Sequence, residues 1–322
     1  MLGWGSGVRD QGSGRGAIGR RQEVLAGKDI LLDWRFYSGV VFVCVAVGSF
    51  LYKRAQMEGV RSGSFMVVQS LCFFCTVLTA SLLTYGGVAS SPYLWLGLLA
   101  GALGMTGAFS ALRSMKQGEL GTNIAVVRLS FVPTTIGAFL FLDEPFTMQK
   151  GMLFLLAGMA VALFFDHYRQ VNRRALKSLV PALVACMAFG IFDLVYKFAA
   201  THGVSPLTFL VVQSATAHIL INIYVAFHEG YELNGTVFRI APLCGILFAS
   251  ACLAMLKALQ EVDVSLISPF IQMNFILSYL LGVVFLGESV TKRKLLGITI
   301  VALCVLLLSE DLFRRLSDLW IG

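Results

Sequence analysis

Residues 49–70 read SFLYKRAQMEGVRSGSFMVVQS, and residues 193–214 read DLVYKFAATHGVSPLTFLVVQS. Laid over each other without gaps, they agree at 10 of 22 positions: Tyr52/Tyr196, Lys53/Lys197, Ala55/Ala199, Gly59/Gly203, Val60/Val204, Phe65/Phe209, Val67/Val211, Val68/Val212, Gln69/Gln213 and Ser70/Ser214. The offset is 144. The same offset lays FLDEPFTMQK (141–150) over FLGESVTKRK (285–294), keeping Phe, Leu, Glu, Thr and Lys, and lays Gly101 over Gly245. One constant offset across separated blocks marks an internal duplication. Apolar composition inflates matches among Val and Phe, but not Tyr-Lys, Gln-Ser or Glu-x-x-Thr-x-x-Lys.

The repeat lies in a chain built for lipid. Of 322 residues, 57% are hydrophobic and 13% charged, and the mean hydropathy is +0.79. A water-soluble domain carries about 25% charged residues. The apolar residues form ten blocks: 36–52, 64–85, 93–112, 122–142, 150–166, 178–198, 207–228, 237–256, 264–286 and 294–309. Most approach the ~20 residues a helix needs to cross a bilayer. The short fifth and tenth blocks begin at Lys150 and Lys294, which can snorkel to the interface. Helices satisfy their own backbone groups in hydrocarbon, and the alternation of a barrel strand is absent.

Five spans per half is an odd number, so the second half enters the membrane from the opposite side to the first. Inverted repeats of this kind are a signature of secondary transporters, with the site near the midplane between the halves. The expected fold is an all-α integral membrane protein, with ten transmembrane helices arranged as two inverted five-helix repeats. The expected divisions are a disordered basic N-terminal tail (1–35), the first repeat (36–166), a linker (167–177), the second repeat (178–310) and a C-terminal tail (311–322).

Two five-helix halves, each with Tyr-Lys ending its first helix and a Glu-Pro or Glu-Ser turn between its fourth and fifth, resemble the drug/metabolite transporter superfamily. The ten-helix EamA-type permeases are the most similar branch. The resemblance covers residues 36–310. It implies a carrier with a central cavity, for amino acids, nucleotide sugars, polyamines, other metabolites or drugs, often proton-coupled or an exchanger. It also implies a prokaryotic inner membrane and cytoplasmic termini. One departure is Gly287-Glu288-Ser289, where the family often has Glu-Pro.

Ionisable groups at membrane depth are costly and are functional candidates by default. Asp193, in FGIFDLVYKF, stands where the first half has Ser49. A lone carboxylate among Phe and Ile is expensive to ionise, which suits proton coupling. Its alternative role is a helix–helix hydrogen bond, or a pair with Lys197 one turn along. Lys197 is a second proton-coupling candidate, with interfacial anchoring as its alternative. Arg128, in IAVVRLSFVP, has Gln272 as its repeat partner. An inward Arg clamps a carboxylate or phosphate, and one near the membrane edge snorkels. Tyr52, Tyr196, Gln69, Gln213, Gln272, Asn274 and Asn123 complete the substrate-binding candidates. His218 and Asn222 are further polar groups, of a kind that more often bonds a neighbouring helix. Gly97, Gly101, Gly104 and Gly107 make a small-residue face for intramolecular packing.

Other classes fit less well. The net charge of +7 comes from helix ends and the tail, which points to lipid headgroups rather than nucleic acid. Cys72-Phe-Phe-Cys75 lies mid-span with no second pair, so no metal site is expected. Gly14-Arg-Gly16-Ala-Ile-Gly19 lacks the strand and helix of a nucleotide loop. Asn234-Gly-Thr236 is a glycosylation sequon that matters only in a lumenal loop. With four His, no HExxH and no paired intramembrane acids, an enzyme is not expected, and no cofactor is implied. The expected function is secondary-active transport of a small polar metabolite, an amino acid or similar, by alternating access. The alternatives are an exchanger of nucleotide sugars or other organic anions, or a non-transporting membrane sensor. The expected partners are a small-molecule substrate and the bilayer, with the chain a monomer or homodimer. Calling the N-terminal side A, side A carries 11 Lys and Arg and side B carries 13, which leans towards a cytoplasmic side B. The family resemblance implies the reverse and is followed.

Overall fold

The computed structural model describes residues 33–88, 90–117, 126–164, 173–286, 292, 295–297 and 299–300. Asn123, Glu288, Cys304, the C-terminal tail, most of the tenth span and nearly all of the N-terminal tail lie outside the described residues. The described chain is helical: α1 (Trp34–Met57), α2 (Ser62–Tyr85), α3 (Trp95–Gln117), α4 (Phe131–Phe141), α5 (Met148–Phe164), α6 (Arg173–Thr201), α7 (Pro206–Tyr224), α8 (Gly235–Glu261), α9 (Val264–Gln272) and α10 (Phe275–Leu286). A π-helical turn, Val225–Glu229, extends α7. Helix α6 begins inside the expected linker.

Seven described segments are long and apolar enough to cross a membrane, counting α9 and α10 as one span. Residues Val126–Phe141 form a shorter apolar helix. The protein is a multi-pass integral membrane protein.

The identities read at 144-residue spacing have geometric causes. Helices α1 and α6 end alike. Gly59 and Gly203 take φ of +76° and +68°, a region that costs glycine nothing. This lets Val60 N–H donate to Ala55 O and Val204 N–H to Ala199 O, both at 3.3 Å, closing each helix. Asp143 follows the end of α4 with φ +51°, which Asp tolerates better than most residues. The sequence has Gly287 at the corresponding place.

The packing pairs are α3 with α6 and α7, α8 with α1 and α2, α2 with α7, α4 with α6 and α9, and α10 with α1. Helices α1 and α8 run antiparallel. Trp34 N–H donates to Glu261 at one end, and Thr236 Oγ1 donates to Glu58 at the other. The core contains Phe131, Tyr196, Phe209, Leu210 and Ile267, all buried.

The fourth and ninth spans, expected as continuous helices, are both broken. The first break falls at Leu129-Ser130 and the second at Met273-Asn274. Around the first, backbone N–H groups of Leu129, Ser130, Val132 and Thr134 donate to Val126, Val127, Leu129 and Ser130. Around the second, Met273, Asn274, Ile276 and Ser278 donate to Phe270, Ile271, Met273 and Asn274. Every bond recurs 144 residues on, and all but the last of each set are i→i−3 bonds that tighten the turn. Pro133 explains the first break, because it has no N–H to give Leu129. At the second, the Asn274 amide donates to Ile271 O at 2.5 Å, competing with the helix ladder.

Candidate substrate cavity

Between the helices lies a cavity of about 250 Å³. It is smaller than the ~300–1,000 Å³ of pockets for drug-sized ligands, so it suits a smaller solute. Phe73, Phe189, Phe192 and Phe248 form apolar walls. The polar lining is Arg128, Asp193, Tyr52, Tyr196, Gln69, Gln213, Gln272 and Asn274, with Ser49, Ser70 and Ser214. Every described binding candidate from the sequence is therefore brought to one place.

Arg128 and Gln272 are the last residues before the two breaks, and they meet. The Arg128 Nη1 donates to Gln272 Oε1 at 3.3 Å, and Nη2 donates to Ser49 Oγ at 2.9 Å. Its Nε–H is buried without a partner among the described residues. No carboxylate lies within ion-pair distance of Arg128 among the described residues. Beyond the second break, Asn274 is fully buried, and its Oδ1 has no partner among the described residues. Buried polar groups are nearly always satisfied, so two such exceptions beside the two breaks set this region apart.

Asp193 is buried on α6, where Ser268 Oγ donates to Oδ2 at 2.8 Å. Thr134 Oγ1 lies 3.3 Å from the same oxygen, 2.9 Å from Ser130 O and 3.2 Å from Gly190 O. A threonine hydroxyl carries one proton and serves one of these acceptors at a time. If Ser130 O takes it, a protonated Asp193 donates to Thr134 in turn. The local partners thus accommodate either protonation state.

Lys197 is placed elsewhere. Its amine donates to Leu259 O at 3.1 Å and Val262 O at 2.8 Å, and it lies outside the cavity lining. The pair with Asp193 is not formed. Lys197 belongs to a charged cluster at side A, 4.0 Å from Asp263.

That cluster includes Glu144, of the turn before α5, and Lys150, expected at the interface. Glu144 caps α9. It accepts from Val264 N–H at 2.9 Å, from Ser265 N–H at 3.1 Å and from the Ser265 hydroxyl. Lys150 is buried, donating to Asp263 Oδ2 at 2.6 Å and Pro145 O at 2.8 Å. A carboxylate suits the positive end of the α9 dipole, and the buried lysines compensate its charge. The α4–α5 turn is thereby fastened to the α8–α9 turn.

The fastening lies at side A, outside the cavity lining. Helix α9 contributes Ile271 and Gln272 to the cavity lining but none of Val264–Phe270, and α4 itself contributes nothing. At side B, Arg61 pairs with Glu232 and donates to Glu229 O at 2.9 Å; both of the paired side chains are half exposed. A third polar chain runs from the cavity wall. Ser70 Oγ is 2.9 Å from His218 Nδ1, and Asn222 bonds both His218 and Tyr231.

Sequence reasoning passed over Ser49, Ser70, Ser214, Phe192, Phe248 and Cys252 as lining residues. The repeat carried a signal for three of them. Ser70 and Ser214 are identities in the aligned blocks, and Ser49 is the counterpart of Asp193.

The chain is similar to several bacterial proteins over most of its length. A glucose uptake protein of Staphylococcus xylosus is 24% identical over 277 residues, covering 83% of this chain and 90% of that one. A probable glucose uptake protein of Staphylococcus aureus is 25% identical over 281 residues, covering 83% and 91%. One solved crystal structure shares the fold, with a TM-score of 0.69 at 14% identity, over 88% of this chain and 97% of its own. The apolar spans and the bacterial relatives support a prokaryotic membrane as its location. Residues 176–310 match the EamA-like transporter family, of the drug/metabolite transporter superfamily.

Proposed function

We propose that the protein is a secondary-active carrier of a small polar solute of the hexose class, working by alternating access across two inverted five-helix halves. The observation that carries this reading is the Arg128–Gln272 contact. Two broken helices, 144 residues apart, bring these side chains together at a cavity with unpaired polar groups. Discontinuous helices at a repeat interface are where secondary transporters bind substrate. The packing supports the two-half reading as well. The pair α3–α6 has its counterpart in α8–α1, and α3–α7 in α8–α2. The hexose class rests on the glucose uptake proteins it resembles and on a lining of amides and hydroxyls between aromatic walls.

One observation favours a second substrate class. Arg128 and Asp193 both line the cavity, and opposite charges there suit the two ends of an amino acid. Uptake of labelled D-glucose, L-alanine and succinate into proteoliposomes separates the readings. Saturable D-glucose uptake is expected. L-alanine uptake alone favours the zwitterion, and succinate uptake alone favours an organic-anion exchanger. No uptake of any of the three, under any gradient, counts against a carrier for these classes.

A further inference from the structure

We propose that Tyr52 and Tyr196 are positioning residues that fix the amides of Gln69 and Gln213, so that both turn their NH2 donors to one polyhydroxylated solute in the cavity. The proposal rests on the carrier reading above and deepens it.

The two pairs are copies. Tyr52 Oη donates to Gln69 Oε1 at 2.5 Å, and Tyr196 Oη donates to Gln213 Oε1 at 2.5 Å. A glutamine amide has an accepting end and a donating end. With each carbonyl oxygen taken by a phenol, each side chain keeps its NH2 group, that of Gln213 lying beside the Cys252 thiol. All four residues are buried and all four line the cavity.

Each phenol is itself held. Tyr52 packs edge-on against Phe65 at 5.5 Å and 82°, and Tyr196 against Phe209 at 5.3 Å and 89°. Each glutamine backbone is gripped by a glycine of a neighbouring helix. A Cβ on Gly245 would fall 2.6 Å from Gln69 O, and one on Gly101 would fall 2.5 Å from Gln213 O. Tyr, Phe, Gln and Gly thus recur as one unit in both halves. A buried amide held this firmly has little freedom to flip, which is the condition for orienting a ligand without an entropic cost on binding.

The chemistry of the ligand follows from the groups on the lining. The two amides donate, while the Ser70 and Ser214 hydroxyls, whose protons go to Val67 O and Leu210 O, keep lone pairs that accept. A hydroxyl does both, so a small neutral polyol satisfies the set. An apolar solute would leave all of it unpaired.

Four variants, Tyr52→Phe, Tyr196→Phe, Gln69→Glu and Gln213→Glu, test this in proteoliposomes with labelled D-glucose. Tyr→Phe removes only the hydroxyl that holds the amide. Gln→Glu keeps an acceptor for the phenol but removes the donor facing the cavity. Each change should raise KM roughly three- to tenfold while kcat stays within about twofold. A merely structural pair would lower the unfolding temperature of the ligand-free protein and leave KM unmoved. If wild-type protein transports D-glucose and all four variants keep its KM within about twofold, the proposal is overturned and the carrier reading stands. Transport of L-alanine or succinate without D-glucose overturns it equally. If none of the three moves, both fall together.

Discussion

Arg128 and Gln272 lie 144 residues apart in the sequence and 3.3 Å apart in the structure, each the last helical residue before a break. Among the described residues the guanidinium has only neutral partners, Ser49 and Gln272, and its Nε–H has none. A buried charge without a counter-ion does little for stability, and replacing it with an apolar group of similar size is often neutral or stabilising. Arg128→Met should therefore leave the unfolding temperature unchanged or raised, while transport falls at least about tenfold. Thermal unfolding and uptake, measured on the same preparation, check both halves of this statement.

Asp193 sits among hydroxyls that serve it in either protonation state. Asp193→Asn keeps the shape and the acceptor for Ser268 but carries no titratable proton. The variant should still exchange solute across the membrane at equal pH. Its accumulation of solute should no longer respond to an imposed pH gradient, where wild-type accumulation does. Uptake with and without the gradient decides the matter. An unchanged response in the variant would remove Asp193 from coupling.

Glu144 holds three donors of α9. Glu144→Ala strands two buried N–H groups and a hydroxyl, and leaves Asp263 as the acidic partner of Lys150. The expected cost is about 2–4 kcal/mol, from the lost cap and the unbalanced lysine. Glu144→Gln retains one acceptor and should lose roughly half as much. Thermal unfolding of the two variants gives the order: wild type, then Gln, then Ala.

Glycines in similar helices should answer differently to one methyl group. Gly101→Ala and Gly245→Ala push a Cβ into backbone carbonyls of α7 and α2, at a cost of about 1–3 kcal/mol. Gly158, in α5, has nothing within 4 Å of its Cβ position. Gly158→Ala should instead stabilise by roughly 0.5–1 kcal/mol through helix propensity. Unfolding temperatures of the three variants should move in opposite directions.

Much of this was legible in the sequence, because duplication preserves geometry residue by residue. Tyr-Lys and Gln-Ser recur since each Tyr must reach its Gln, and Gly59 and Gly203 recur since both helices end on a positive φ. The helix breaks were less legible. Pro133 signals the first, but the sequence has Leu277 at the corresponding place in the second, where the Asn274 side chain takes over. The role of Glu144 was hidden altogether. Its partners, Val264 and Ser265, lie more than a hundred residues away, and only the packing of α4 against α9 brings them together. Lys197 looked like a companion of Asp193 from its spacing. Free carbonyls at the end of α8 claim its amine instead.

The central claim is that one cavity opens to each side of the membrane in turn. Cys252 lines that cavity on α8. With the other cysteines replaced, a membrane-impermeant thiol reagent applied from either side of oriented vesicles measures the claim directly. Cys252 should react from side B and, more slowly, from side A. Glu144→Ala should speed the reaction from side A by loosening the fastening there. Reaction from one side only, in wild type and in Glu144→Ala, with and without D-glucose, would contradict it.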